Sequence, residues 1–200
     1  MKKLTSILLV IVILALTLTM SSCQLNKNRL KYQRFDGGYS IEDCILKRWD
    51  SDITFIDNFL GYIEIPSTHR GKPVKRIDDR AFSGFFLLES ITIPDSVTSI
   101  GRCAFEDCIS LKSITIPDSV TSIGDRAFQN CILLESITIP DSVMLIGNNA
   151  FFNCKSLRII IFEGTVEQWN AIEYRGSTWT FPYEKPDGRV VCSDGVVPLS

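Results

Sequence analysis

From residue 88 to residue 162, short runs of alternating apolar and polar residues give way to turn residues, and the pattern returns every 23 residues. Ser-Ile-Thr-Ile-Pro-Asp-Ser-Val-Thr-Ser-Ile-Gly at 90–101 recurs unchanged at 113–124. It returns at 136–147 with Met144 and Leu145 as the two substitutions. The second half of each unit keeps Ala104, Phe105, Cys108 and Leu111, matched by Ala127, Phe128, Cys131 and Leu134 and by Ala150, Phe151, Cys154 and Leu157. Degenerate copies flank the three. Upstream, Ile63-Glu64-Ile65-Pro66, Arg76-Ile77 and Ala81-Phe82 fit the pattern, with an insertion at 67–74 that makes this copy five residues longer. Downstream, Ile160-Ile161-Phe162 matches before the chain departs from it. Terminal copies are expected to be atypical, because they close a core that stacking leaves open.

Alternation places Ile91 and Ile93 on one side of a strand and Thr92 on the other. Pro94 ends the strand, since it cannot donate to a ladder, and Asp95-Ser96 supplies turn chemistry. Val97, Ile100 and Phe105 point inward, Ala104 is small at a tight corner, and Gly101 is expected to take a positive φ. No single unit can bury its apolar face, whereas stacked units bury a continuous one. The pattern predicts a repeat solenoid, mainly β: a short parallel stack of 23-residue leucine-rich-type repeats over 62–162. Its Ser-Ile-Thr-Ile strands are expected to form one sheet.

The flanks read as caps. Aromatic and apolar residues fill 35–61, and Gly37-Gly38 suggests a hairpin turn there; this is the expected N-terminal cap. A C-terminal cap is expected over 163–200. Thr165 and Gln168 have capping-box spacing for a short helix at 166–172, which would lay Trp169 and Ile172 over the last repeat. Residues 189–192 suggest a late strand, turned by Asp194-Gly195. At the other end, Lys2 and Lys3 precede a predominantly apolar stretch to Met20 and then Ser21-Ser22, the layout of a secretory signal over 1–22. Met20-Ser21-Ser22-Cys23 resembles the lipobox of bacterial lipoproteins, which implies lipidation of Cys23 and a membrane attachment through it. Residues 23–34, with Lys27, Arg29, Lys31 and Arg34, read as a linker.

The series Ile-x-Ile-Pro-x-x-Val-x-x-Ile-Gly-x-x-Ala-Phe-x-x-Cys-x-x-Leu resembles the BspA-like leucine-rich repeat family of bacterial surface proteins, over roughly 60–162. Phe162-Glu163-Gly164-Thr165, Gln168-Trp169, Ile172, Trp179 and Val191-Cys192 with Asp194-Gly195 resemble that family's ending. The resemblance implies adhesion or binding to host, matrix or envelope proteins at the bacterial surface.

Composition adds little chemistry. A net charge of −2 gives no bulk attraction to nucleic acid. The single histidine, His69, leaves no triad or zinc cluster to assemble, and no phosphate-cradling glycine loop occurs, so no catalytic residue and no cofactor is expected. Cys108, Cys131 and Cys154 share one repeat position, which Phe85 fills upstream, and read as buried thiols in a core slot. Their rival reading is one disulfide between neighbours. Glu89, Lys112, Glu135 and Arg158 form a row of alternating charge that supports register. Asp95, Asp118 and Asp141 form a row of like charge; they read as turn caps, with calcium as the alternative. Binding candidates are the outward Thr92, Thr115 and Thr138, and the positions that break the repeat: Tyr62, Ile159, Ile161, and the basic inserted turn with His69, Arg70 and Lys72. The expected function is non-catalytic protein binding or adhesion by an exported, lipid-anchored module. A structural or carbohydrate-binding module using Trp169 or Trp179 is the alternative.

Overall fold

The computed structural model describes residues 30–35, 38–44, 61–174 and 188–198. Fifteen strands and one short helix occur there: β1 Leu30–Phe35, β2 Gly38–Cys44, β3 Tyr62–Glu64, β4 Thr68–His69, β5 Lys72–Ile77, β6 Ser90–Thr92, β7 Ser99–Ile100, β8 Ser113–Thr115, β9 Ser122–Ile123, β10 Ser136–Ile139, β11 Leu145–Ile146, β12 Ile159–Phe162, α1 Val166–Ala171, β13 Glu173–Tyr174, β14 Arg189–Val191 and β15 Val196–Pro198. Strands of successive repeats run parallel in register, Ser113 beside Ser136 and Ser136 beside Ile159. The described residues form a stack of similar coils around one core, a repeat solenoid as expected.

The single sheet expected from the sequence is replaced by two walls. One holds the Ser-Ile-Thr strands: β8, β10, β12, β14 and β15 form one ladder, and β3 with β6 a separate one. The other centres on the two-residue strands before each glycine, β7, β9 and β11, in the order β1-β2-β5-β7-β9-β11-β13, with β4 folded onto β5. These two-residue strands were missed because Val97 and Ile100 lack the period of two that marks a half-buried strand.

Glycine has a different task from the expected one. Gly101, Gly124 and Gly147 carry no positive φ. A Cβ on Gly124 would lie 2.5 Å from the Gly101 carbonyl carbon, and one on Gly147 2.3 Å from the Asp125 nitrogen. The column is glycine because adjacent coils touch backbone to backbone. Left-handed φ values appear later in each unit, at Arg80, Cys103, Arg126 and Asn149 and again at Gly84, Asp107, Asn130 and Asn153.

Those turns make the third wall. Phe82, Phe105 and Phe128 donate their N–H groups to the carbonyls of Ala104, Ala127 and Ala150 in the next coil, at 2.7–2.8 Å. Their rings, with Phe151, form a near-parallel column with centroids 5.3, 5.2 and 5.6 Å apart. Asn130 Nδ2 donates to Asp107 Oδ1 at 2.7 Å, and Asn153 Nδ2 to Asn130 Oδ1 at 2.8 Å. Asn130→Ala removes both ladder bonds, and each hydrogen bond contributes about 0.5–1.5 kcal/mol net. Urea denaturation should therefore show a loss of about 1–3 kcal/mol.

At the N-terminal end, β1 begins at Leu30, so the expected linker ends earlier than 34 and Lys31 and Arg34 are strand residues. β1 and β2 pair antiparallel, closing from Phe35 to Gly38 as the glycine pair suggested. At the other end, the α1 capping box has both its bonds, from Gln168 N–H to the Thr165 hydroxyl and from Thr165 N–H to Gln168 Oε1. Trp169 is 5 % exposed and meets Phe162 edge-on at 5.2 Å. β14 and β15 form the late hairpin.

Candidate functional site

The outward side of the Ser-Ile-Thr wall gathers most of the candidates. Tyr62 pairs with Ser90 and Glu64 with Thr92; Thr115, Thr138 and Ile161 continue the second row, and Ser113, Ser136 and Ile159 the first. Tyr62 is 48 % exposed, with its hydroxyl 2.9 Å from Thr92 Oγ1. Ile161 is 42 % exposed and lies beside Val191, which lies beside Val196. Thr92 and Thr115 are exposed, Thr138 and Ile159 half-buried. The face thus runs from hydroxyls in the regular repeats to aliphatic side chains at the C-terminal end.

The inserted turn does not join them. Arg70 and Gly71 take φ values of 49° and 74° and turn β4 back on β5. His69 is not part of a projecting cation: its ring stacks on Tyr32 at 3.9 Å and meets Tyr39 edge-on at 4.9 Å. Partial burial and then the Arg70 charge hold its pKa below the ordinary value. Arg70 and Lys72 remain exposed at the turn.

A groove of about 430 Å³ crosses the strand face, lined by 90–93 and 113–117 with Asp95, Asp118 and Glu163. Its origin is a seam. β6 and β8 share no ladder, although each pairs with its other neighbour. Ile65 N–H reaches Thr92 O and Ile116 N–H reaches Thr138 O, both at 3.0 Å, on either side of the seam. The Lys112 N–H to Glu89 O bond across it is stretched to 3.3 Å, against 2.8 Å for the equivalent bond from Glu135 to Lys112. Strands of identical sequence pair one coil further on, so local sequence carried no signal for the gap.

The rows of charge divide. Lys112 Nζ meets Glu89 Oε2 at 3.0 Å between exposed side chains, which adds at most about 1 kcal/mol. Asp95, Asp118 and Asp141 are exposed on the opposite flank. Among the described residues no three His, Cys, Asp or Glu side chains gather as a metal site.

The cysteine column is a core device. Cys108, Cys131 and Cys154 are buried thiols outside any disulfide, and their Sγ atoms donate to the carbonyls of Phe82, Phe105 and Phe128 in the preceding coil at 3.2, 3.2 and 3.0 Å. The rival disulfide is absent. Cys103 and Cys192 are also buried and outside any disulfide; Cys23, Trp179 and the side chain of Cys44 lie outside the described residues. Burial pushes the Cys131 thiol well above its ordinary 9.0. The folded chain therefore holds this proton more tightly than the unfolded one. That stabilisation is complete below pH 9.0 and is lost as pH rises beyond it. The melting temperature should fall above pH 9, and a Cys131→Ala variant should show a flatter alkaline limb by circular dichroism.

A parallel stack of 23-residue coils with an Ala-Phe, Cys and Leu interior defines a leucine-rich repeat solenoid. The chain belongs to the BspA-type leucine-rich repeat family, whose model matches residues 52–178 in six copies. Among solved structures it is similar to the leucine-rich repeat protein of T. pallidum, with 28% identity and a TM-score of 0.63 over 75% of this chain and 63% of that one. A leucine-rich repeat protein from Bacteroides capillosus shares 31% identity over 68% of this chain and 95% of that one, with a TM-score of 0.54. A leucine-rich cell surface protein from Faecalibacterium prausnitzii shares 33% identity over 74% and 42%, with a TM-score of 0.50. The chain thus spans 63% of the length of the T. pallidum protein. No curated protein matches it. Among the described residues, no helix is long and apolar enough to cross a membrane.

Proposed function

We propose that this chain is an exported, non-catalytic surface protein, attached to a membrane through lipid on Cys23, that binds another protein with its outward Ser-Ile-Thr face. The observation that carries the reading is the register: Tyr62 and Thr92 on one ladder, and Thr115, Thr138 and the Ile159–Ile161 pair on the next, come from successive coils and face outward. Aliphatic side chains in its C-terminal part, with Ile161 beside Val191 and Val196, supply area whose burial is favourable at about 25 cal/mol per Å². Family membership and the described surface neighbour support an extracytoplasmic setting. Trp169, one of the two platforms for a carbohydrate-binding alternative, is buried against Phe162 and serves as a lid.

The test is capture of host, matrix or envelope proteins on the full chain, repeated with Thr115→Arg and with Ile161→Asp. Saturable capture lost in both variants, with unchanged circular dichroism, supports the reading. Capture that both variants retain would move the site elsewhere. Mass spectrometry of the native N-terminus, with Cys23→Ala as control, should show a diacylglyceryl mass on Cys23.

A further inference from the structure

We infer that the N-terminal end of the stack, the β1–β2 hairpin together with the β4–β5 turn, is a cationic face that lies on anionic phospholipid headgroups. This rests on the attachment through Cys23 proposed above, and it adds how the attached chain is oriented.

Three observations carry it. First, charge is unevenly divided along the stack. Among the described residues up to Arg80 there are seven lysines and arginines against five carboxylates, and beyond Arg80 six against twelve. Residues 24–29 add Lys27 and Arg29 and no acid. One end is therefore positive and the other strongly negative, although the whole chain carries only −2.

Second, the fold gathers the cations of the positive end. The His69 ring stacks on Tyr32 of β1 at 3.9 Å and meets Tyr39 of β2 at 4.9 Å, so the inserted turn is docked against the hairpin. Arg34 is the register partner of Tyr39, and Lys72 that of His69. Arg34, Arg70 and Lys72 thus come to one end, and all three are exposed. Arg76 lies over the Phe35 ring at 5.5 Å. Carboxylates in this stretch are engaged within the chain or placed elsewhere. Asp78 accepts from Ser40 and pairs with Arg76 at 3.5 Å, and Asp79 accepts the Arg102 N–H at 2.8 Å. Glu64 lies on the Ser-Ile-Thr wall, and Glu42 is exposed on β2.

Third, the chain enters at this end. Leu30 follows Cys23 by seven residues, a span of at most about 25 Å when fully extended. Lipid at Cys23 therefore keeps this face near the headgroups. An anionic leaflet attracts basic side chains within about one Debye length, roughly 10 Å at 0.1 M salt, each strengthening binding about fivefold. The acidic remainder is repelled. The stack then stands on its N-terminal end, with Ile161, Val191 and Val196 away from the surface.

The experiment is hydrogen exchange on the full chain as the cell exports it, in phosphatidylglycerol vesicles and in phosphatidylcholine vesicles. Exchange at 30–35 and 69–76 should be at least about fivefold slower on phosphatidylglycerol, and high salt should remove the difference. The triple variant Arg34→Gln, Arg70→Asn, Lys72→Gln should melt as the parent does and abolish the difference; asparagine tolerates the φ of 49° at position 70. Lys155→Gln, Arg158→Gln, Arg189→Gln removes as many cations from the other end and should leave the difference intact. Equal exchange in the two lipids would overturn the proposal, as would an equal effect of the two triple variants or protection that survives high salt. Protection by soluble poly-glutamate but not by phosphatidylglycerol would assign the face to an acidic protein instead. Mass spectrometry of the N-terminus separates this proposal from the reading it rests on. Lipid on Cys23 with equal exchange in both vesicles keeps the anchor and removes the cationic face. An unmodified Cys23 removes the anchor, and the face then stands only if the chain sediments with phosphatidylglycerol vesicles and not with phosphatidylcholine.

Discussion

Replacing Phe128 with alanine should lower the unfolding free energy by about 3–5 kcal/mol, enough to unfold much of a marginal domain at physiological temperature. The ring is fully buried and sandwiched between Phe105 and Phe151 at 5.2 and 5.6 Å, with its neighbours nearly parallel. Truncation therefore removes ring contacts on two sides at once. The cavity cannot collapse readily, because the backbone on either side is fixed: Phe128 N–H bonds to Ala150 O, and Phe105 N–H to Ala127 O. Guanidinium denaturation monitored by circular dichroism should show the lowered midpoint. Phe128→Leu, which keeps much of the volume, should cost clearly less. A change under 1 kcal/mol would mean that the column is not the core of the stack.

Glycine at 124 should prove less replaceable still. Gly124→Val places its Cβ within 2.5 Å of the Gly101 carbonyl carbon and 2.6 Å of the Arg102 nitrogen. Both obstacles are backbone of the adjacent coil, so no rotamer change relieves them. The coils must separate, breaking the Gly124 N–H to Ile100 O bond and the β7–β9 pair. A loss of more than about 4 kcal/mol, or failure to fold, is expected. Gly84→Asn is the informative contrast. Gly84 has a φ of 74° but open space around its missing Cβ, and Asp107, Asn130 and Asn153 occupy the equivalent left-handed position in later coils. Asparagine tolerates this conformation, so the variant should stay within about 1 kcal/mol of the parent. Thermal melts of the two variants separate close approach from φ as the reason for a glycine.

That contrast marks how far the sequence could be read. Identical segments at 90–101 and 113–124 made the stack and its register legible, because in-phase apolar columns have only one economical packing. The capping box at Thr165 and Gln168 was legible because its two bonds are local. What escaped was set between coils. The second wall of two-residue strands arises from stacking and not from alternation. The glycine column is fixed by a neighbour 23 residues away, and His69 is turned inward by Tyr32 and Tyr39, which lie on β1 and β2. The seam between β6 and β8 has no counterpart in the sequence at all, since the same residues pair normally one coil later. Outward rows were predictable as rows; their splitting into a closed sheet and an open groove was not.

Hydrogen exchange on the full chain, with and without its captured partner, tests the central claim most directly. Protection confined to 90–93, 113–116, 136–139 and 159–162 is the predicted result. Protection at the turns around Arg80, Cys103, Arg126 and Asn149, with the strand face unchanged, would contradict it.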